Sequence, residues 1–315
     1  MELRHLRCFL AVAEELHFAR AAERLHIEQS PLSRAIKDLE EELGVLLFAR
    51  TTRSTRLTHE GHMFLEHVPR VFTALQQARD SVKAAANGFQ GQLRIALSDG
   101  MTPPRFSALL ARCRQDEPEI EIRLSEVPLA RQIRGLHDDT YDLGFARADD
   151  GGDGLIAEPV WSDPLMVAVP DRHPLLSYKR IPLEEMLRYP LVLGDPLACE
   201  GYARQIEHLL RRHTDKEPLV AERVASVDLM MALVAAGYAL GLTGASHLTA
   251  SRERGVIARP FAGLSPKLTT YLLRPDNEPS AILARFIECA HAVEALGSGH
   301  PAANAPPDVS KEIKP

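Results

Sequence analysis

Residues 30–44 carry two stripes of side chains that constrain the fold more than any other segment. An apolar stripe recurs at steps of four, three and four residues and consists of Leu32, Ile36, Leu39 and Leu43. This spacing predicts a helix that packs one face inward. A polar stripe on another face consists of Ser30, Ser33, Arg34 and Lys37. Ser30 is a suitable N-cap and Pro31 suits the first helical position, so the polar stripe begins where free N–H groups favour anions.

The opposite end of this helix carries Glu40, Glu41 and Glu42, which would repel the same anion. Helical periodicity also precedes it, at residues 3–13 and 18–25, with a short connector at 26–29. Two short helices, a tight turn and a third helix predict a helix-turn-helix whose third helix enters the major groove of DNA. The alternative is an ordinary helical subdomain with solvated polar faces.

Two short strands are predicted directly after this helix, at residues 46–50 and 56–58, joined by residues 51–55. Arg50, Arg53 and Arg56 lie in a stretch that contains no acidic residue. A basic hairpin in this place suits contact with phosphate or with the minor groove. The pattern therefore predicts a winged helix-turn-helix.

The first 61 residues, MELRHLRCFLAVAEELHFARAAERLHIEQSPLSRAIKDLEEELGVLLFARTTRSTRLTHEG, resemble the DNA-binding domain of the LysR-type transcriptional regulators. The resemblance implies that Gln29, Pro31, Ser33 and Arg34 face DNA and that Arg53 lies in the wing. With the polar stripe, the predicted DNA-contacting set is Gln29, Ser30, Pro31, Ser33, Arg34, Lys37, Arg50 and Arg53. Glu28 departs from the small polar residue usual in this turn of the family.

A single long helix is predicted from about Glu60 to Asn87, capped by Thr58 and stopped by Gly88. Its apolar positions recur in a heptad pattern: Phe64, Val68, Val71, Leu75, Ala78, Val82 and Ala85. Such a seam favours helix pairing, and LysR-type proteins use this element to form homodimers, often within a homotetramer. Pro69 removes one internal hydrogen bond and is expected to kink the helix.

The rest of the chain alternates strands with helices, which predicts α/β layers with largely parallel sheets. The predicted strands are 93–97, 120–124, 142–146, 165–169 and 238–243, and the helices include 106–115, 202–212 and 227–236. The family resemblance, which extends more loosely over this part, implies two Rossmann-like lobes, as in periplasmic solute-binding proteins. The predicted division is 1–58 for the winged domain, 59–88 for the linker helix, 89–296 for the effector-binding domain (lobe I 92–160 plus 267–296, lobe II 161–266) and 297–315 for a disordered tail.

Ligands of such sheets bind at the carboxyl ends of strands, in the crevice between lobes. This rule selects a candidate effector-binding set: Ser98, Asp99, Thr102, Arg147, Cys199, Ser226 and Val227. Arg147 is suited to pair with a carboxylate, and LysR-type sensors commonly recognise small organic or aromatic acids. The neighbouring acids Asp99, Glu200 and Asp228 oppose a simple anion site, so the charge of the effector stays open.

The charge distribution restricts where nucleic acid binds. The net charge is -6, yet residues 1–88 hold 12 Lys/Arg against 12 Asp/Glu, so a DNA contact must be a local patch. The resemblance implies a double-stranded DNA operator as partner, and RNA polymerase if the protein is an activator. No apolar run reaches the length of a membrane span or a secretory segment, which predicts no membrane partner and a cytoplasmic location.

Enzymatic motifs of the hydrolase, zinc-protease, P-loop and dinucleotide-binding types are missing from the sequence, so no enzyme activity is predicted. The four cysteines are scattered without a C-x-x-C pair, and neither a metal site nor a cofactor is predicted. Two alternatives stay open: a non-regulatory solute-binding module, and a redox-sensing regulator that uses Cys199 as its thiol.

Overall fold

The computed structural model describes residues 1–50, 54–99, 104–250 and 253–297. The chain divides into two compact units, one of residues 1–83 and one that begins at Ala84. Arg53, Thr102 and the predicted tail from residue 298 lie outside the described residues.

The first unit is built around three helices, α1 (Leu3–Glu15), α2 (Phe18–Leu25) and α3 (Gln29–Leu43). Leu16 and His26 adopt positive φ angles of 47° and 54°, and these left-handed residues end α1 and α2. The helices share one core in which the ring of Phe9 lies 5.4 Å from that of Phe48, measured between centroids. This arrangement leaves the polar face of α3 outside the core.

Helix α3 begins earlier than its sequence pattern predicts. Its N-cap is Glu28, whose side chain makes no capping hydrogen bond, so the prediction of Ser30 as N-cap is wrong. Ser30 and Pro31 are instead the second and third helical residues, and the missing N–H of Pro31 still costs nothing because the first four N–H groups lack helical partners. The prediction that Leu43 packs inward is also wrong. Leu43 is 37% exposed because it is the last helical residue before Gly44, where the chain turns at a φ of 70°.

A two-stranded hairpin follows, formed by β1 (Phe48–Arg50) and β2 (Thr55–Leu57) in antiparallel register. The Thr58 hydroxyl donates to the carbonyl of Leu46 at 2.7 Å and accepts from the N–H of Gly61 at 2.9 Å. Thr58 therefore caps the next helix, α4 (His59–Ala86), as its sequence position predicts. Pro69 lies inside this helix, which continues on both sides of it.

The apolar seam of α4 divides into two parts. Phe64 and Val68 pack into the core of the first unit. Farther along, Val71 and Val82 are 44% and 71% exposed. Apolar side chains in a heptad pattern that are exposed in a single chain are available for pairing with another helix.

The second unit is an α/β structure. Its strands are β3 (Gly91–Leu97), β4 (Ile120–Glu126), β5 (Leu143–Ala146), β6 (Leu155–Pro170), β7 (Leu191–Gly194), β8 (Val220–Val224), β9 (Leu240–Gly244), β10 (Val256–Pro260) and β11 (Lys267–Pro275). Its helices are α5 (Pro104–Asp116), α6 (Leu129–His137), α7 (Leu183–Met186), α8 (Glu200–His213), α9 (Val227–Ala235), α10 (Ala245–Ala250) and α11 (Ala281–Gly297). The strand order is β4-β3-β5-β11-β6-β9-β7-β8, with β10 also paired to β6.

The sheet is mixed, which corrects the prediction of largely parallel pairing. Strands β3, β4 and β5 are parallel, as are β7, β8 and β9, but β6 and β11 are antiparallel to their neighbours. The reason is the length of β6, which runs through the middle of the sheet and pairs with the returning β11. We refer to β3–β5 with α5, α6 and α11 as lobe I, and to β7–β10 with α7–α10 as lobe II.

Each lobe has its own apolar core. In lobe I the indole of Trp161 stacks on the ring of Phe145 at 4.9 Å and donates to the carbonyl of Ala290 at 3.0 Å. In lobe II, Tyr202 and Ile206 of α8 pack against the strands that include Leu240. Because β6 and β11 are shared, the two lobes meet along the carboxyl ends of β3 and β5. In the described part of the chain, no helix is both long and apolar enough to cross a membrane.

Candidate DNA-binding surface and interlobe site

The polar stripe of α3 lies at the surface of the first unit. Gln29, Ser30, Pro31, Arg34 and Lys37 are exposed, and Ser33 is half-buried. The buried positions Leu32, Ile36 and Leu39 fix this orientation, since they hold the other face of α3 in the core. The exposed stripe starts at the helix amino terminus, where N–H groups and the helix dipole favour phosphate.

Lys37 and Arg34 differ in their surroundings. The Lys37 ammonium lies 3.3 Å from the carboxylate of Glu41, one turn along α3, and both side chains are well exposed. Such a surface pair contributes little stability, so Lys37 is free to exchange its partner for a phosphate. Arg34 lines a surface groove together with Ser33, Lys37 and Arg50.

Arg50 is held by contacts within the protein. Its guanidinium lies 3.2 Å from the carboxylate of Glu40 and 4.4 Å from the centre of the Phe18 ring. Glu40 is buried, although the sequence pattern grouped it with Glu41 and Glu42 as an acidic helix end. The sequence contained a signal for this position, because Glu40 follows Ile36 by four residues and so shares the inward face. The charge of Arg50 is therefore partly neutralised by Glu40.

In the second unit, the carboxylate of Asp99 joins the two lobes. Its Oδ2 accepts a hydrogen bond from the main-chain N–H of Arg147 at 2.9 Å, within lobe I. Its Oδ1 accepts one from the N–H of Gly201 at 2.8 Å, in the first turn of α8 of lobe II. Asp99 follows β3 and Arg147 follows β5, so the strand-end rule correctly brought these two predicted residues together.

The guanidinium of Arg147 lies inside the protein beside this carboxylate. Arg147 is 5% exposed, and its Cζ lies 5.6 Å from the centre of the Tyr202 ring. Burial lowers the pKa of Arg147, and the nearby Asp99 opposes this shift. The Nε of Arg147 has no hydrogen-bond partner among the described residues. A buried guanidinium N–H without a partner destabilises the fold unless another group accepts its hydrogen bond.

Oγ1 of Thr243 and Nδ1 of His247 are among the other buried polar atoms that lack partners within the described ranges. Burial lowers the pKa of His247, and the positive charge of Arg147 lowers it further. His247 therefore favours the neutral form. Asp163 also faces this region and accepts hydrogen bonds from the N–H and the hydroxyl of Ser246. None of these residues was predicted from the sequence. Asp163 and His247 lie away from the ends of the predicted strands, whereas Thr243 ends the predicted strand 238–243 and was overlooked.

Ser98, Ser226 and Val227 are further predicted effector residues. Ser98 is buried, and its hydroxyl lies 3.3 Å from Asp99 and 3.4 Å from the carbonyl of Phe145. Ser226 accepts from the N–H of Leu229 at 3.3 Å and so caps α9, while the adjacent Val227 is half-buried. Ser98 and Ser226 therefore make local structural hydrogen bonds, in addition to any contact with a ligand.

Family models match both units of the chain. The model described as bacterial regulatory helix-turn-helix protein, lysR family, matches residues 3–62, and the model of the LysR substrate binding domain matches residues 86–295. This chain belongs to the LysR family of transcriptional regulators. The predictions of the family, of its winged α/β two-lobed fold and of a DNA-binding regulator that is not an enzyme are confirmed.

Individual LysR-family proteins resemble the chain over most of its length. YnfL of Escherichia coli (strain K12), an uncharacterized HTH-type transcriptional regulator, is 35% identical over 247 residues, which is 78% of this chain and 83% of that protein. The HTH-type transcriptional regulator BenM of Acinetobacter baylyi is 33% identical over 255 residues, 78% and 81% of the two chains. Full-length CbnR in complex with its target DNA has a TM-score of 0.67 at 28% identity and covers 93% of this chain and 100% of its own.

Cys199 of this LysR-family protein is poorly suited to redox sensing. Burial and the nearby carboxylate of Asp99 raise the pKa of its thiol to about 11, and its Sγ lies 3.4 Å from the carbonyl of Ala225. Since the thiolate is the reactive form, this environment protects Cys199. Cys113 and Cys289 line a different, apolar pocket in lobe I, where burial raises the pKa of Cys113 to about 12.

Proposed function

We propose that this LysR-family regulator binds a double-stranded operator through α3 and the wing, and that a small organic or aromatic acid bound between the lobes controls operator binding or promoter activation. The proposed DNA contacts are Gln29, Ser30, Pro31, Ser33, Arg34, Lys37, Arg50 and Arg53. The proposed effector contacts are Ser98, Asp99, Thr102, Arg147, Cys199, Ser226 and Val227.

The observation that supports the effector site best is the buried guanidinium of Arg147, whose Nε has no partner among the described residues. A carboxylate is the ligand group that completes such a guanidinium with charge-assisted hydrogen bonds. The unpartnered Thr243 hydroxyl and His247 ring nitrogen supply further contacts for an acid with a polar substituent. The lobe boundary is also where two-lobed α/β proteins bind small molecules.

The proposed assembly is a homodimer through α4, and two such dimers in a homotetramer. Val71 and Val82 support the dimer, because they continue the apolar seam of α4 while exposed in a single chain. The proposed domains are 1–58, 59–88 and 89–296. We place the protein in the cytoplasm, and RNA polymerase is a further partner if the regulator is an activator.

In the proposed mechanism, paired α3 helices read the half-sites of a partly palindromic operator. The lobes and subunits have arrangements that differ in the spacing between these helices. An acid shifts the population toward one arrangement only if it binds that arrangement better than the other. Arg147 provides the difference in this proposal, because its guanidinium binds the acid where the two lobes meet.

The proposal is tested with the full-length protein in two steps. Selection from random duplexes first identifies the operator, and fluorescence anisotropy then measures operator affinity with and without acetate, succinate and benzoate. The matched amides acetamide, succinamide and benzamide control for size and shape. We expect an enriched duplex and a response to at least one acid but to none of the amides. If no duplex is enriched, the proposal that the protein binds an operator fails. If an acid and its amide give equal responses, the proposal that the effector is an acid fails.

A further inference from the structure

The amino-terminal turn of α8 already holds a carboxylate that belongs to the protein. Oδ1 of Asp99 lies 2.8 Å from the N–H of Gly201 and 3.5 Å from that of Tyr202. These donors are the unpaired N–H groups that make a helix terminus an anion site. Asp99 comes from lobe I, whereas α8 packs in the core of lobe II through Tyr202 and Ile206. The anion and its site therefore come from opposite sides of the cleft.

Both sides of this contact are shaped for a close approach. A Cβ atom added to Gly201 would lie 2.7 Å from Oδ2 of Asp99 and 2.7 Å from the main-chain carbon of Arg147. Such distances are too short, so glycine is needed at position 201. Asp99 itself has a φ of 62°, in the left-handed region that aspartate and asparagine tolerate better than most residues.

An independent observation indicates that this region receives a ligand. The guanidinium of Arg147 is buried against Tyr202 and leaves Nε without a hydrogen-bond partner in the described structure. Oγ1 of Thr243, which is 0% exposed, is also unpartnered there. Asp99 accepts a hydrogen bond from the main-chain N–H of Arg147. This bond does not involve Nε of the side chain, which stays unsatisfied. The site therefore has an anion at the helix terminus, and the adjacent Arg147 guanidinium has an unused donor at Nε.

We propose that Asp99 is a tethered competitor: its carboxylate occupies the anion position at the start of α8, and an acid effector must displace it to bind there. Two carboxylates cannot share these donors, because like charges at such distances disfavour each other. Displacement breaks the hydrogen bonds that the N–H groups of Gly201 and Tyr202 donate to Asp99, and so releases α8 from lobe I at this point. This inference rests on the proposed function of the interlobe site as an acid-binding site.

The structure retains a second connection between α8 and lobe I. The side-chain amide of Gln205 donates to the carbonyl of Arg147 at 2.6 Å and to that of Thr269 at 2.8 Å. Its Oε1 accepts from the N–H of Thr269 at 2.9 Å. Loss of the Asp99 contact therefore leaves the lobes hinged near Gln205. Displacement thus removes one connection between the lobes, while the hydrogen bonds between Gln205 and Thr269 keep α8 attached to β11.

The test compares wild-type protein with Asp99→Asn and Asp99→Ser, each as the full-length chain. Asparagine keeps the shape of the side chain and tolerates positive φ, but it removes the charge. Asp150→Asn is the matched control, because it removes an exposed carboxylate from the same lobe. Isothermal titration calorimetry measures binding of acetate, succinate and benzoate, with the three matched amides as neutral probes. Melting temperatures check that each variant folds.

We expect Asp99→Asn and Asp99→Ser to bind at least one acid more tightly by about tenfold or more, as removal of an adjacent like charge implies. Affinity for the amides and for the Asp150→Asn control should stay near the wild-type value. Unchanged or weaker acid binding by both folded Asp99 variants overturns the inference, as does failure of both to bind any acid. If the variants bind acids more tightly but no acid alters operator binding by the wild type, the competitor is supported and the proposed effector class fails.

Discussion

The carboxylate of Glu40 lies 3.2 Å from Nη2 of Arg50, and the glutamate is buried while the arginine reaches solvent. Oε1 of Glu40 also accepts from the N–H groups of Leu47 and Phe48, at 2.8 and 3.1 Å. One acidic side chain near the end of α3 therefore fixes the start of the wing. This contact sets the distance between the two elements that are proposed to touch DNA.

Replacing Glu40 with alanine is expected to loosen the start of β1. The variant leaves the Leu47 and Phe48 amides without their acceptor, so the free energy of local opening at these amides should fall by roughly 1–3 kcal/mol. Glu40→Gln should lose less, because its amide oxygen still accepts. Hydrogen–deuterium exchange of peptides covering residues 46–50 measures the change, and Glu41→Ala is the exposed neighbouring control. Equal exchange rates in Glu40→Ala and wild type would show that the contact does not hold the wing.

Arg34→Ala is expected to weaken binding to the selected operator by roughly 1–3 kcal/mol if Arg34 contacts a guanine edge. Binding to random duplex should change much less, because phosphate contacts from other residues remain. Arg188→Ala is a suitable control, since Arg188 is an exposed arginine of lobe II. Anisotropy titrations at one fixed salt concentration measure both affinities. An unchanged ratio of operator to random affinity would remove Arg34 from base recognition.

Cys199 should make the folded protein sensitive to alkaline pH. Its pKa is raised from 9.0 to about 11 by burial first and by Asp99 next. Below pH 9 the thiol is neutral in both the folded and unfolded states, and its contribution to stability is fully present. As pH rises from 9 to about 11, the unfolded thiol ionises first, so this contribution is lost. Melting temperatures should therefore fall less over this range in Cys199→Ala than in wild type, and parallel curves would contradict the shift.

The local features of the fold were predictable from the sequence because they depend on residues close together in the chain. The apolar spacing of Leu32, Ile36 and Leu39 locates α3, and the Thr58 cap locates the start of α4. The strand-end rule selected Asp99 and Arg147 because it requires only the position where each strand stops. Arg53 and Thr102 lie outside the described residues, so their assignments stay predictions.

The features that the sequence did not predict depend on long-range packing. Asp99 and Gly201 are 102 positions apart, and no local pattern pairs them. The antiparallel pairing of β6 with β11 was missed because β6 extends through the predicted lobe boundary between residues 160 and 161. Periodicity measures which face of an element is apolar, but it does not identify the partner that covers that face.

Arg147→Met is expected to separate the role of the guanidinium in binding from its role in folding. Methionine keeps a long side chain but leaves the buried Asp99 carboxylate without the positive charge that faces it, so the free energy of unfolding should fall, by up to about 3–5 kcal/mol. The main-chain N–H that Asp99 uses is unaffected. Acids should no longer raise the melting temperature, while operator binding without effector persists, as anisotropy can measure. An acid that still raises the melting temperature of the variant would show that Arg147 is not its partner, and an unchanged or higher free energy of unfolding would show that the guanidinium does not offset the charge of Asp99.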